Sequence, residues 1–221
     1  EFMKTLGIYG AGGLGREVFE LAIAINSSKQ RWNEIIFIDD GENIENPRGL
    51  SIYKFAEIIK KMDVDDIEFC IAIGEPEIRK DLYKKLIKGS MRMATLIHPE
   101  VTIPESTVIG AGVVICKFVS ITCDITIGEN VYIHPMACIG HDATIGNHAV
   151  ISSFVDVAGN CLVGDCSFLA INVILKQGVC IGGSSIVGLA SVVHRDIPDN
   201  VIALGNPARP MKNNNEKRVF K

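Results

Sequence analysis

Residues 127–146 read IGENVYIHPMACIGHDATIG, with Ile127, Ile133, Ile139 and Ile145 six apart and Val131, Ala137 and Ala143 each four places further on. Counted in sixes, the aliphatic position runs from Ile97 to Val193 through seventeen hexads without a break. The position four residues on is small or β-branched throughout, from Val101 to Ser191. A period of six fits neither an α-helix nor an alternating strand. It fits a triangular coil of three short strands and three turns, with the aliphatic residue pointing into the prism. Coils stacked at roughly 4.8 Å make seventeen hexads a prism about 27 Å long. Glycine often follows the aliphatic, as at Gly110, Gly128, Gly140, Gly146, Gly164, Gly182 and Gly188; the expectation is that it relieves the backbone at corners.

The preceding residues read differently. Thr5–Tyr9 is an apolar strand leading into Gly10-Ala11-Gly12-Gly13-Leu14-Gly15 and a helix from Arg16 to about Ile25. Glu34–Ile38 is a second strand, ending at Asp39-Asp40, and Phe69–Ile73 a third. Phe55, Ile58, Ile59 and Met62 have helical spacing; Glu75-Pro76 opens another helix and Gly89 follows its end. The expected organisation is a small parallel α/β domain over 3–92, then a β-helix over 93–211 with a tail to 221. The glycine turn matches G-x-G-x-x-G, which suits a phosphate at a helix N-terminus. About three strands make only half of a dinucleotide fold, so a nucleoside diphosphate handle fits better than NAD(P). A tight turn that binds nothing is the alternative.

Composition narrows the function. Net charge is −4 with no basic cluster, which disfavours nucleic acid. No run of about 18 uncharged apolar residues is present, so no membrane span is expected. No signal peptide is legible, and Glu1-Phe2 before Met3 reads as an appended pair. Seven cysteines, with no CxxC pair, fit reduced thiols in a cytoplasmic protein.

Three of the five histidines, His134, His141 and His148, fall in the hexads seven residues apart. One hexad plus one residue puts each on a different wall, so no shared metal is expected. His141 stands at a corner after Ile139-Gly140 and is followed by Asp142. An imidazole aligned by a carboxylate suits proton abstraction from an attacking amine or hydroxyl. Gly159 lies eighteen residues on, one coil later, where its N–H is placed to hold an oxyanion. A surface histidine on a turn is the plain alternative.

The pieces Gly10–Gly15, Phe37-Ile38-Asp39-Asp40, Ala72-Ile73-Gly74, Leu96-Ile97-His98-Pro99, Ile139-Gly140-His141-Asp142 and Gly205-Asn206-Pro207-Ala208-Arg209 together resemble the NeuD-type sugar acyltransferases. That family includes N-acetyltransferases of nucleotide-linked 4-amino-4,6-dideoxy sugars and sialic acid O-acetyltransferases. The resemblance implies a left-handed coil and a homotrimer with active sites between neighbouring β-helices. It implies acetyl-CoA as co-substrate, no metal, and a nucleotide-linked amino sugar held by the N-terminal domain. His141 matches the base and Asp142 its acidic partner. Gly159, Ala170 and Leu189 match the oxyanion and acetyl-CoA positions. Gly12, Gly13 and Leu14 match the phosphate loop; Asp39, Asp40, Gly74 and His134 match acceptor contacts. The family commonly has His at Leu14, Asn at His134 and a second His at Val150.

The resulting expectation is a direct acetyl transfer with His141 as general base. The alternatives are O-acetylation of a sialic-acid-type sugar and a non-catalytic nucleotide-sugar-binding trimer.

Overall fold

The computed structural model describes residues 4–42 and 49–220. The Glu1-Phe2 pair, the expected domain start at Met3 and the tail's last residue, Lys221, lie outside them. The N-terminal domain runs β1 (Lys4–Tyr9), α1 (Gly13–Ser28), β2 (Trp32–Ile38), β3 (Ile52–Tyr53), α2 (Phe55–Lys61), β4 (Ile67–Ile71), α3 (Pro76–Lys88) and β5 (Arg92–Met93). Its strands form one parallel sheet in the order β3-β2-β1-β4-β5. Five strands replace the three expected. The additional pair, β3 and β5, are two-residue edge strands too short to carry a hydrophobic period.

From Leu96 to Val193 sixteen two-residue strands follow, β6 (Leu96–Ile97) to β21 (Val192–Val193). Strands β6 to β18 each pair in parallel with the strand eighteen residues on, as Tyr132 with Val150 and Ile133 with Ile151. Three walls result. Wall 1 contains Ile97, Ile115, Ile133, Ile151, Leu169 and Val187; wall 2 begins at Ile121 and wall 3 at Ile109. The hexad aliphatics point inward and most are fully buried, as are Val131, Ala137, Ala143 and Ala149 between them. Burying each Ile, Leu or Val side chain contributes roughly 1.5–3 kcal/mol.

Ile103 packs on the core but lies in no strand. Elsewhere the residue after the aliphatic donates its N–H to the next coil, as Gly110 does to Ile127 and Cys116 to Ile133. Here that residue is Pro104, which has no N–H. The prism also extends past Val193. Ile197 bridges Ile181, and β22 (Val201–Gly205) joins wall 1 beside Ile186–Val187 before β23 (Ala208–Asn213) turns back on it. The corner between Val193 and Ile197 is two residues short, which breaks the count in sixes.

Backbone relief falls elsewhere than on the expected glycines. The left-handed residue is the third after each aliphatic from Ile109 to Val187, with φ near +60° at Phe118, Asp124, Asn130, Met136, Asp142, His148, Phe154 and Asn160. The glycine just after the aliphatic answers a steric demand: a Cβ on Gly128 would lie 2.8 Å from Asn147 N in the next coil.

The walls differ on their outer faces. On walls 2 and 3 the outward residues include Ser120, Asp156, Thr126 and Thr144, all exposed. On wall 1 Leu96, Val114, Tyr132, Val150 and Phe168 are buried and Ile186 is half-buried. The N-terminal domain covers this face. Arg79 of α3 is wholly buried between the two halves, stacked over the Tyr132 ring at 5.5 Å. It donates to Ile71 O, Ile73 O, Asn130 O and Asn130 Oδ1. Burial lowers its pKa to about 10, so it stays cationic at neutral pH. No helix among the described residues is long and apolar enough to cross a membrane.

Candidate active site

The strand-to-helix turn of the N-terminal domain holds the expected phosphate loop. A Cβ on Gly15 would stand 2.1 Å from Gly10 O, so that glycine serves packing. Gly12 and Gly13 have open space where a side chain would be, and no side chain caps α1. The turn therefore keeps bare N–H groups at a helix N-terminus, the geometry that suits an anion.

The two aspartates are not equivalent. Asp39 accepts hydrogen bonds from Ala11 N and Gly41 N, both 2.9 Å, and lies against the glycine turn. Asp40 accepts from Tyr9 Oη, Lys85 Nζ and Phe55 N, so its carboxylate ties β2 to α2 and α3. Burial pushes its pKa up, but these hydrogen bonds and the Lys85 charge outweigh that and hold it below its ordinary value.

Leu14, Gly74, His134, Ala170 and Leu189 line one cleft of about 680 Å³ along the corner between walls 1 and 2. Phe168 and Leu204 add apolar surface, and the C-terminal residues Val219 and Phe220 close one side. His134 packs on Tyr132 with ring centroids 4.5 Å apart. Burial, then the nearby Arg79 cation, lower its pKa to about 4. It is a neutral imidazole at physiological pH. His148 is placed on the third corner, beside Tyr83 and Asn130, and is lowered to about 4 first by burial and then by Arg79.

His141 and Asp142 form the turn between walls 2 and 3. The imidazole Nδ1 is 2.7 Å from Asp142 Oδ2, and both side chains are half-exposed. Asp142 reaches back to its own neighbour because it holds the left-handed position, with φ +60°. With Nδ1 committed to the carboxylate, Nε2 is the nitrogen left to accept a proton. It faces Gly159: a Cβ there would lie 2.5 Å from Nε2 and 2.6 Å from Cε1. Asn160 N donates to His141 O at 2.8 Å, which fixes the coil above the imidazole. Among the described residues nothing accepts from the Gly159 N–H. An imidazole, its carboxylate partner and a free N–H donor thus meet within one corner.

Within one chain this corner and the cleft with His134 are on different edges of the prism. The cleft's C-terminal wall and Arg79 carried no signal in the sequence: Arg79 is one cation in an amphipathic helix rich in lysine, and the tail has no periodicity.

Comparison with known proteins matches both halves. Residues 5–86 match the PglD N-terminal domain, and residues 124–159 match six bacterial transferase hexapeptide repeats. A GDP-perosamine N-acetyltransferase of Escherichia coli O157:H7 is 28% identical over 95% of this chain and 97% of its own. The acetyltransferase domain of PglB from Neisseria gonorrhoeae FA1090, solved with acetyl coenzyme A, superposes with a TM-score of 0.88 at 26% identity, covering 95% of this chain and all of that one. PerB from Caulobacter crescentus, solved with CoA and GDP-perosamine, superposes with a TM-score of 0.85 at 27% identity, covering 94% of this chain and 97% of that one. An α/β domain of the PglD type, followed by a hexapeptide prism and matched over nearly its whole length, places the chain in the PglD/NeuD-type sugar N-acetyltransferase family, whose coil is a left-handed β-helix.

Proposed function

We propose that this protein is an acetyl-CoA-dependent N-acetyltransferase acting on a nucleotide-linked 4-amino-4,6-dideoxy sugar. The observation that carries the reading is the His141 Nε2 atom, free of its Asp142 partner and facing Gly159. The sugar amine attacks the thioester carbonyl carbon while Nε2 takes an amine proton. The Gly159 N–H holds the oxygen that becomes an anion. As the C–S bond breaks, the imidazolium returns its proton to the departing CoA sulfur. Asp142 steadies the imidazolium without taking the proton. No cysteine needs to act as a nucleophile, since Cys138 belongs to a strand of wall 2.

The α/β domain, taken as 3–92, holds the nucleotide through Gly12, Gly13, Leu14 and Asp39, with Asp40 bracing β2 against α2 and α3. Gly74 and His134 contact the sugar. The β-helix, 93–211 with its tail to 221, carries acetyl-CoA past Ala170 and Leu189. A homotrimer brings a neighbour's His141 corner to this cleft. Exposed Phe118, Met136 and Phe154, eighteen apart along the cleft corner, support it as apolar surface awaiting a partner. The enzyme works in the cytoplasm and without metal.

The test is incubation with acetyl-CoA and a panel of GDP-, UDP- and dTDP-linked 4-amino sugars while free thiol is recorded. Thiol release that depends on one of these amines is the expected result. Release with hydroxyl acceptors alone turns the reading to O-acetylation, and none at all turns it to a binding protein.

A further inference from the structure

The cleft is closed on one side by the chain's own C-terminal residues, which are held in an unusual way. Glu75, at the N-terminus of α3, is only 6% exposed. Its two carboxylate oxygens accept from consecutive backbone amides, Oε1 from Val219 N at 2.7 Å and Oε2 from Phe220 N at 3.1 Å. Those amides are the carboxylate's only hydrogen-bond donors among the described residues, so releasing the tail would leave a buried charge bare. Val219 packs against the main core. Phe220 does not bury itself: it is 59% exposed, with its free surface lining the cleft. Its ring stands edge-on to Phe168 at 5.7 Å and rests over Gly74, where a Cβ would meet it at 3.3 Å.

We propose that Val219 and Phe220 are a specificity-determining wall of the acceptor end of the cleft, clamped by Glu75. A fixed backbone with an open aromatic face is what a ligand-facing wall requires. The neighbours of Phe220 at this end, Leu14 and Gly74, belong to the α/β domain, the half that holds the acceptor in the function proposed above, on which this inference rests. The chemistry it fits is the apolar edge of the deoxy sugar, its methyl group packed against Phe220 and Leu14. A sugar bearing a hydroxyl there meets an apolar surface that offers it no partner.

Two measurements test this. In Phe220→Ala the KM for the amino sugar should rise about tenfold while the acetyl-CoA KM stays within about twofold, and Phe220→Leu should recover most of the loss. Selectivity for the 6-deoxy sugar over its 6-hydroxy counterpart should fall in step. Amide exchange in the protein without substrate reads the clamp alone: Val219 and Phe220 should be protected in the wild type and exchange fast in Glu75→Gln. Unprotected amides in the wild type, or an unchanged acceptor KM in Phe220→Ala, overturn the proposal. A wild type that acetylates no amino sugar overturns the functional reading instead, and protected amides then still support the clamp.

Discussion

Two corners of the same prism carry histidines of opposite character. At the corner between walls 2 and 3, His141 is half-exposed, paired with Asp142 at 2.7 Å and open at Nε2. At the corner between walls 1 and 2, His134 is mostly buried, stacked on Tyr132 and lowered to about 4 by burial and Arg79. The repeat is the same at both; what differs is whether anything covers the wall. The α/β domain lies on wall 1, which desolvates His134 and brings the Arg79 cation near it. Within one chain, nothing among the described residues covers the corner between walls 2 and 3 in this way, and His141 and Asp142 stay half-exposed. An imidazole that stays neutral down to about pH 4 is a poor proton acceptor but a stable hydrogen-bonding surface. In the function proposed above, the covered corner binds and the open corner moves a proton.

The strongest way to break this comparison is to exchange the losses. His141→Ala should lower kcat by roughly 10²–10⁴, about 3–5 kcal/mol of barrier, with acetyl-CoA KM and thermal midpoint nearly unchanged. His134→Ala should leave kcat within about tenfold and raise the acceptor KM. If His141→Ala keeps more than about a tenth of the activity while His134→Ala is dead, the roles are reversed.

Gly159→Ala comes next. The added methyl carbon would sit 2.5 Å from His141 Nε2, so the imidazole must swing away from the reacting amine. A displacement of about 1 Å at a base costs on the order of 10² in kcat. Full activity in Gly159→Ala would show that the imidazole works from another position. Asp142→Asn should cost less, about ten- to fiftyfold in kcat, because the amide still holds the ring while the imidazolium loses its compensating charge.

How much of this was legible in sequence follows from which forces leave a period. The prism was, because every coil must place an aliphatic residue inward, and that demand repeats every six residues from Ile97 to Val193. The His141-Asp142 pair and its alignment with Gly159 followed from the same count, since eighteen residues make one coil. Events that occur once were not legible. Pro104 silences one strand by lacking an N–H, and the short corner before Ile197 hides the last coil. Arg79 finds carbonyl partners in two domains, and Glu75 meets Val219 and Phe220 across 144 and 145 residues. The two aspartates after β2 read alike in sequence, yet only Asp39 faces the glycine turn, because Tyr9, Phe55 and Lys85 draw Asp40 the other way.

The smallest expected effect sharpens the comparison through stability. His134 and His148 each fall from the ordinary 6.5 to about 4 on folding. The unfolded chain therefore takes up these protons near pH 6.5 and the folded chain only near pH 4. Between those values the unfolded state binds more protons, so stability is fully present above pH 6.5 and is lost as pH falls toward 4. Each histidine should account for roughly 1 kcal/mol of loss at pH 5.5. Urea midpoints at pH 7.5 and 5.5, at one fixed protein concentration, measure it. In His134→Gln the difference between the two midpoints should shrink, and in the double variant with His148→Gln most of it should vanish. A double variant that keeps the full wild-type difference would show that the covered wall does not desolvate its histidines, and the contrast between the two corners would fall with it.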